Sequence, residues 1–330
     1  MKVIIQIPCY NEEATIGMTL AELPRSLPGV DEVEWLIIDD GSTDRTVPVA
    51  LQNGADHVVS VPRNKGLAHA FRTGIAACLE RGADVIVNTD ADNQYCADDI
   101  EKLIAPIFQL RADVVIGCRP IRDIEHFSAT KKVLQRLGSA VVRITSRTDI
   151  QDAASGFRAI SRQAALRLNI FGEYTYTLEM LIQAGQLGMN IYQVPIRVNR
   201  DQRPSRLVKC IRSYVLRSMA TIFRIFALYR AFRFFFALGS VPVLFGNLLL
   251  LRWIYLRLTE VQVIGHSHVP SLVIAAVSIL FGFQLWGLAL VADLLAANRK
   301  ILEEMQYQER RRRLDPQWLE QNAAPLVRGM

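Results

Sequence analysis

The stretch VNTDADNQYC, residues 87 to 96, is the part of the sequence that decides the fold of the first half of the chain. An apolar run, DVIVNT, passes directly into Asp90 and Asp92, and Gln94 follows two residues later. The Asp-x-Asp spacing by itself is a weak signal, because so short a pattern arises by chance in a chain of this length. Its position at the end of a strand-like run gives it meaning.

Strand-like and helix-like segments alternate from residue 3 to about residue 117. The strand-like runs are VIIQI, EWLIID, HVVSV, DVIVNT and DVVIG, and the helix-like stretches between them include EEATIGMTLAEL, GLAHAFRTGIAACLE and DDIEKLIAPIFQL. Further helix-like runs lie around residues 162 to 187, and a strand is predicted over residues 191 to 198. This pattern predicts an α/β fold with a doubly wound, mostly parallel sheet that binds ligands at the carboxyl ends of its strands.

Two uncharged apolar segments, residues 234–251 and 269–292, are long enough to cross the hydrocarbon layer as helices. A pair of buried core helices is the alternative explanation. Lys and Arg residues flank the pair on its outer sides, whereas the connecting loop has almost none, so we expect both chain ends to face the cytoplasm. Five scattered cysteines without a C-x-x-C pair agree with reduced thiols in that compartment.

The apolar positions from residue 206 to residue 229 keep helical spacing, which predicts an amphipathic helix lying in the membrane interface. A packing helix of the soluble domain would show the same spacing. The net charge of +6 is concentrated just before the first span, which favours anionic lipid over nucleic acid as the partner. We therefore divide the chain into a catalytic domain (1–205), an amphipathic juxtamembrane region (206–231), a transmembrane hairpin (232–297) and a charged cytoplasmic tail (298–330).

Four polar clusters follow the predicted strands: PCYNEE (8–13), DDGSTD (39–44), RNKG (63–66) and DADNQ (90–94). Clustered carboxylates repel one another unless a cation joins them. The carboxylates of Asp90 and Asp92 and the carbonyl of Gln94 are hard oxygen ligands suited to Mg²⁺ or Mn²⁺. These clusters therefore predict a metal-assisted site for a nucleotide diphosphate.

The other clusters supply groups for the nucleotide itself. Glu12, Asp39 and Asp40 are able to accept hydrogen bonds from a nucleobase or a ribose, and Lys65 in RNKG is a further donor-binding candidate. DDGSTD also has the composition of a helix start, with Ser42 or Thr43 as N-cap. The sequence has no phosphate loop, dinucleotide fingerprint, hydrolase elbow or H-E-x-x-H helix, so it lacks the motifs of those enzyme classes.

Cations are supplied by the second half of the catalytic domain, and arginine suits bidentate phosphate contacts. The residues concerned are Arg119, Lys131, Lys132, Arg136, Arg158, Arg200, Arg203 and Arg206. A solvated basic face attracted to lipid headgroups is the alternative for several of them.

The motifs IPCYNEE, IIDDGSTD, NKG, TDADNQ, GCR, DAASGFR and RDQRPSRL occur in this order, before two spans. In this order they resemble the family 2 glycosyltransferases that make polyprenyl-phosphate sugars, the dolichol-phosphate mannosyltransferase-like group, over residues 3 to 297. The resemblance implies a GT-A fold, a UDP- or GDP-linked sugar donor, a divalent cation, inversion at the anomeric carbon, and dolichyl or undecaprenyl phosphate as acceptor.

The resemblance also implies roles for individual residues. The base and ribose pocket would consist of Pro8, Tyr10, Glu12 and Asp39, and the metal and diphosphate motif of Asp90, Asp92 and Gln94. Arg119 and Arg136 would hold the acceptor phosphate, and Arg200 and Arg206 the donor diphosphate. The last segment, RDQRPSR, departs from the family pattern R-x-x-G-x-S-K, since Arg203 replaces the glycine and Arg206 the lysine.

A phosphate acceptor is already an anion at neutral pH, so it needs no strong general base. The catalytic candidates are Asp92, Arg119, Arg136 and Asp152, where Asp152 either positions hydroxyl groups of the substrates or forms a turn. Two other functions stay open. The first is glycosylation of another lipid such as diacylglycerol, and the second is a noncatalytic membrane scaffold with a degenerate fold. The sequence also leaves open whether the chain forms a homo-oligomer.

Overall fold

The computed structural model describes residues 1–120, 150–170, 176–199, 231–259 and 269–314. The chain divides into two compact units. The first contains residues 1–218 together with residues 303–330, and the second contains residues 219–302. The predicted interfacial helix, residues 206 to 229, lies outside the described residues, and so does the rest of the juxtamembrane region (206–231) except for its last residue.

The first unit is built around a seven-stranded sheet in the order β3-β2-β1-β4-β6-β5-β7. Its strands are β1 (Lys2–Cys9), β2 (Glu32–Asp39), β3 (His57–Ser60), β4 (Val85–Asn88), β5 (Val114–Cys118), β6 (Arg158–Ser161) and β7 (Ile191–Pro195). Its described helices are α1 (Ile16–Glu22), α2 (Thr46–Gln52), α3 (Leu67–Glu80), α4 (Ile100–Leu110), α5 (Arg162–Arg167) and α6 (Thr177–Gln186). The C-terminal part of a longer helix, described below, completes it.

The sheet is mostly parallel, as the alternating sequence pattern predicts. Strands β1, β2, β3 and β4 pair in parallel, and β5 pairs in parallel with β7. The exception is β6, which lies antiparallel between β4 and β5. The carboxyl ends of β1, β2, β4 and β5 therefore meet at one edge of the sheet, where the predicted polar clusters follow them.

The strand β6 was not predicted from sequence. Its four residues, RAIS, follow a segment that we expected to be rich in turns, and they are too few to show a period of two. It pairs with the buried strand β4 on one side and with the buried strand β5 on the other. Tertiary pairing rather than local propensity therefore places it in the sheet.

The second unit holds two long apolar helices, α7 (Ala231–Leu258) and the part of α8 (Val269–Leu314) that precedes residue 303. Both are long and apolar enough to cross a membrane. Only 17% of the most apolar window of each helix is buried, which argues against two core helices of a soluble protein. The helices pack closely through glycines: a Cβ added to Gly246 would lie 2.7 Å from the main-chain oxygen of Ala275.

Gly41, in the turn after β2, is required by both conformation and space. Its φ is +77°, and a Cβ there would lie 2.7 Å from the carbonyl carbon of Arg63. Gly29 has a similar φ of +74° but nothing within 4 Å. We expect Gly29→Ala to cost about 1 to 2 kcal/mol of stability from the left-handed backbone alone. Gly41→Ala should cost at least about 1 kcal/mol more, because the backbone must move.

The midpoint of thermal unfolding of the two purified variants checks this expectation. Gly41→Ala should unfold at a clearly lower temperature than Gly29→Ala. Equal midpoints would show that the turn after β2 adapts without strain.

Candidate active site

Those predicted donor-binding and metal-binding residues that the structure describes lie at one edge of the sheet. Pro8 is near the end of β1, Asp39 is the last residue of β2, and Asp90 comes two residues after β4. Tyr10 follows β1 and is exposed. The parallel register, in which Cys9 pairs with Asp39 and Gln6 with Asn88, brings these strand ends side by side.

The turn after β2 is held by its own polar side chains. The Asp39 carboxylate accepts a hydrogen bond from the Ser42 amide (2.8 Å), and the amide of Glu12 donates to the Thr46 hydroxyl (2.8 Å). Neither Ser42 nor Thr43 caps α2, contrary to the sequence-based expectation. The helix begins later than expected, so its N-cap residue is Arg45, whose side chain caps no amide; the preceding Asp44 accepts from the Thr46 amide at 3.0 Å.

Asp40 differs from the role expected for it. Its carboxylate is 3% exposed and accepts hydrogen bonds from the amides of Lys65 (3.0 Å) and Gly66 (2.7 Å). Asp40 therefore holds the RNKG loop at the start of α3, a contact that the sequence did not indicate, and its bond to a nucleobase or a ribose stays a prediction. The Lys65 side chain is exposed at the same edge of the sheet, where donor binding stays a prediction.

Asp90 carries the electrostatic conflict that the sequence predicts. Burial, followed by the neighbouring Asp92 carboxylate, raises the pKa of the Asp90 carboxyl above its ordinary value, against the opposing effect of Arg119. Asp92 accepts a hydrogen bond from the Gln94 amide at 3.2 Å. The described residues include no group of three or more His, Cys, Asp or Glu side chains arranged to hold a metal ion. A cation here would need oxygens of the bound substrate besides Asp90, Asp92 and Gln94.

A buried hydrogen-bond network that could not be predicted from sequence surrounds the Asp90 carboxylate. The Tyr95 hydroxyl hydrogen-bonds to the Asp90 carboxylate and accepts from the Gly156 amide at 3.1 Å. Asn88 donates to the Gly156 carbonyl (2.8 Å) and to the Tyr176 hydroxyl (3.0 Å). Asn88 and Tyr95 lie inside the stretch VNTDADNQYC and Gly156 lies inside DAASGFR, which was the available signal, whereas Tyr176 had none.

Gly156 is the point of closest approach between the DAASGFR segment and the metal motif. A Cβ added to Gly156 would lie 3.0 Å from Oδ2 of Asp90 and 3.3 Å from the Tyr176 hydroxyl. Since contacts of that length force the neighbour to move, glycine lets the two motifs meet here. The order of motifs in the sequence gave no sign of this contact.

Arg119 and Asp152 form a buried bidentate ion pair. Nε of Arg119 donates to Oδ2 of Asp152 at 2.7 Å, and Nη2 donates to Oδ1 at 3.0 Å. The side chains are 9% and 2% exposed. Asp152 thus orients the guanidinium of Arg119 at the end of β5. This contact goes beyond the turn that was one of the two roles expected for Asp152.

Arg158 does not act as the phosphate-binding cation that the sequence suggested. It is fully buried, and it donates to the main-chain carbonyls of Ala153 (2.8 Å), Ser155 (2.8 Å) and Thr177 (2.9 Å). It therefore fixes the backbone of the DAASGFR segment from inside the protein. The remaining predicted phosphate-binding residues, Arg136, Arg200 and Arg206, lie outside the described residues.

Tyr95→Phe should weaken metal binding, although the substitution removes none of the proposed metal ligands. The variant loses the hydrogen bond to Asp90 and leaves the buried Gly156 amide without its acceptor. Groups that orient metal ligands typically contribute 10- to 100-fold to metal affinity. We expect a loss of about that size in Mn²⁺ affinity in calorimetry with a nucleoside diphosphate present.

The substitution removes only the hydroxyl, because a phenylalanine at position 95 still stacks on Phe157, whose ring centroid is 4.9 Å away. Unchanged affinity in Tyr95→Phe would show that the hydroxyl plays no part in metal binding.

Comparison with known proteins gives the family of the chain. Residues 4–168 match the family model of glycosyl transferase family 2. The chain is 29% identical over 218 residues to an undecaprenyl-phosphate mannosyltransferase of Micrococcus luteus, covering 63% of this chain and 88% of the relative. It is 31% identical over 215 residues to a UDP-N-acetylglucosamine–dolichyl-phosphate N-acetylglucosaminyltransferase of Methanococcus voltae, covering 58% of this chain and 83% of the relative.

The fold resembles that of solved glycosyltransferase structures. Glucosyl-3-phosphoglycerate synthase from Mycobacterium tuberculosis, in complex with Mn²⁺, UDP and glucosyl-3-phosphoglycerate, superposes with a TM-score of 0.54 at 24% identity. The match covers 67% of this chain and 79% of that chain. The mostly parallel sheet is thus of the GT-A type. With half of its length matched by the family model, the chain belongs to glycosyl transferase family 2.

Proposed function

We propose that this glycosyltransferase moves one hexose from a nucleotide-diphosphate sugar to a polyprenyl phosphate, such as dolichyl or undecaprenyl phosphate, with inversion at the anomeric carbon. One observation carries the proposal: Asp39 at the end of β2, Asp90 just after β4 and Arg119 just after β5 lie at the same edge of the sheet, because these three strands run in the same direction. The two relatives named above bear names of polyprenyl-phosphate transferases, which supports the choice of acceptor.

The chemistry of the acceptor explains why few acid–base groups are needed. A phosphate oxygen is an anion at neutral pH and attacks the sugar carbon without a strong base. Asp152 is already bound through both oxygens to Arg119. It therefore serves as a positioning residue for that guanidinium, which donates to the acceptor phosphate, and not as a base for a hydroxyl acceptor such as diacylglycerol.

The donor diphosphate carries developing negative charge as it leaves. Asp90 and Asp92, with the carbonyl of Gln94, fit Mg²⁺ or Mn²⁺, because two repelling carboxylates with raised proton affinity at Asp90 gain from a dication. When bound, the ion supplies charge stabilisation to the diphosphate. Tyr95 and Gly156 hold Asp90 in place for this role, and Glu12 and Asp39 contact the nucleoside.

The acceptor implies a membrane location. We propose that α7 and the apolar part of α8 anchor the protein as two spans, with the catalytic domain and both termini on the cytoplasmic side. The excess of Lys and Arg outside the hairpin supports that orientation.

The proposal is tested with the full chain purified in detergent. The enzyme is incubated with Mn²⁺, undecaprenyl or dolichyl phosphate, and radiolabelled UDP- or GDP-sugars in turn, and label in the lipid extract is counted. We expect label with one donor, and none when EDTA replaces Mn²⁺. Transfer to diacylglycerol alone, or no transfer with any donor while nucleotide binding persists, would contradict the proposed acceptor.

A further inference from the structure

A second cavity lies in the first unit, away from the strand ends that form the candidate active site. Its volume is about 370 Å³, within the range of small-molecule sites. One wall is α3, from Phe71 to Glu80; the second is the turn at Leu168–Ile170; and the third is the C-terminal part of α8, from Gln306 to Leu314. No proposed donor or acceptor residue lines it.

The C-terminal part of α8 is held against the catalytic domain by several polar contacts. Arg162 donates to the Leu314 carbonyl at 3.0 Å, and Arg313 pairs with Glu80 at 3.0 Å. The guanidinium of Arg167 lies 4.7 Å from the ring of Tyr307, which is 7% exposed. The third wall of the cavity is therefore anchored at several points along the helix.

The charge of the cavity is unbalanced at Arg310. This half-buried arginine donates through Nη1 to the carbonyls of Leu168 (2.9 Å) and Leu166 (3.4 Å). Among the residues that the structure describes, no carboxylate lies within ion-pair distance of it, and its Nε and Nη2 have no acceptor. Burial lowers the pKa of Arg310, and no neighbouring anion opposes that effect. A half-buried cation that contacts carbonyls but no described carboxylate keeps its full charge, which makes an external anion favourable here.

The rest of the lining restricts the kind of anion. Arg72 and Arg313 add two guanidinium groups, whereas Glu80 is the one carboxylate among the described residues of the lining and is already paired with Arg313. Apolar side chains form most of the remaining surface, among them Phe71, Ile75 and Leu79. A guanidinium with two unused donor positions matches a phosphate, and the apolar wall matches a hydrocarbon portion beside it.

We propose that this cavity is a binding site for an amphiphilic phosphate, with the phosphate on Arg310 and the apolar portion against α3. Such a molecule is available either as the headgroup region of an anionic phospholipid or as a free phosphomonoester. The two sources share the chemistry that Arg310 recognises, and they differ in whether a bilayer must deliver the ligand.

The site has a physical connection to the active site. Phe71, in the wall of the cavity, stacks on Tyr176 with ring centroids 3.8 Å apart. The Tyr176 hydroxyl accepts from Asn88, and Asn88 also binds the Gly156 carbonyl beside Asp90. Through the fully buried ring of Phe71, the wall of the cavity is therefore in packing contact with the network beside Asp90.

The experiment measures the midpoint of thermal unfolding of the full chain with inorganic phosphate, with butyl phosphate, and in nanodiscs of phosphatidylcholine with or without phosphatidylglycerol. We expect butyl phosphate to bind at least about tenfold more tightly than inorganic phosphate, because burial of its chain adds affinity. Stabilisation by butyl phosphate identifies a free phosphomonoester as a ligand, and stabilisation confined to phosphatidylglycerol identifies the lipid.

Three variants assign the binding to this cavity. Arg310→Gln keeps an amide donor for the Leu168 carbonyl and should weaken binding at least tenfold. Ala76→Phe, at an exposed lining position of α3, should fill the cavity and abolish binding. Arg312→Gln, at an exposed position that does not line the cavity, is the matched control and should bind normally. Equal stabilisation of all three variants, or none of the wild type by any probe, overturns the proposal.

Discussion

Asp90→Asn is expected to lower the rate of sugar transfer by about 10²- to 10³-fold, the usual effect of removing one electrostatic contact to developing charge. The same substitution should raise the melting temperature of the substrate-free protein. Burial and the adjacent Asp92 disfavour the charged form of Asp90, and asparagine removes that charge while its oxygen still accepts a hydrogen bond from Tyr95. Activity and stability should thus change in opposite directions.

Transfer assays and thermal unfolding on the same preparations check both effects. Asp98→Asn is the matched control, because Asp98 is an exposed carboxylate of the same segment and pairs with Arg197 only at the surface. That control should change neither quantity appreciably. An Asp90→Asn protein that retains transfer would show that the Asp90 carboxylate is not needed for catalysis. One that melts below the wild type would show that the charge of Asp90 does not destabilise the substrate-free protein.

Asp152→Ala is expected to destabilise the protein by about 3 to 5 kcal/mol, because it leaves Arg119 charged and buried without its partner. Replacement of both residues by apolar side chains, Arg119→Met with Asp152→Leu, should recover much of that loss, since buried ion pairs are often no more stabilising than apolar contacts. The double variant should still be inactive, because it has no guanidinium for the acceptor phosphate.

The stability of Asp152→Ala and of the double variant is compared with that of the wild type by denaturant unfolding of the detergent-purified protein, and the transfer rates are measured in parallel. A double variant that transfers sugar normally would mean that the pair is purely structural. If Asp152→Ala is as stable as the wild type, water or another group must compensate Arg119.

Local sequence patterns predicted most of the secondary structure of the catalytic domain. The apolar runs became β1 to β5, and the helical spacing of GLAHAFRTGIAACLE became α3 at Leu67–Glu80. These predictions succeed because a buried strand or an amphipathic helix shows its burial in its own period. Only the start of helix α2 was indicated, by DDGSTD, and its extent was not predicted, since the seven residues TVPVALQ, which include Pro48, give too short and irregular a pattern.

The arrangement of the candidate site residues was predicted in part, for the same reason. The sequence indicates that Asp39, Asp90 and Asp92 lie at one edge of the sheet, because they end or follow strands whose carboxyl ends share an edge in any parallel sheet. It does not indicate which groups the neighbouring polar side chains contact, and the roles of the three aspartates stay predictions. Asp40 is occupied by the RNKG loop and Arg158 by three buried carbonyls, and both facts depend on backbone groups whose positions no sequence pattern encodes.

The sequence by itself determined the α/β class, the two apolar helices and the edge of the sheet at which the acidic clusters gather, because periodicity and strand polarity are local properties of the chain. Only the tertiary structure decided that Asp152 binds Arg119, that Gly156 meets Asp90, and that the end of α8 closes a second cavity against α3. These contacts join residues far apart in the chain, and their free energy comes from burial and hydrogen bonding that exist only once the elements have packed.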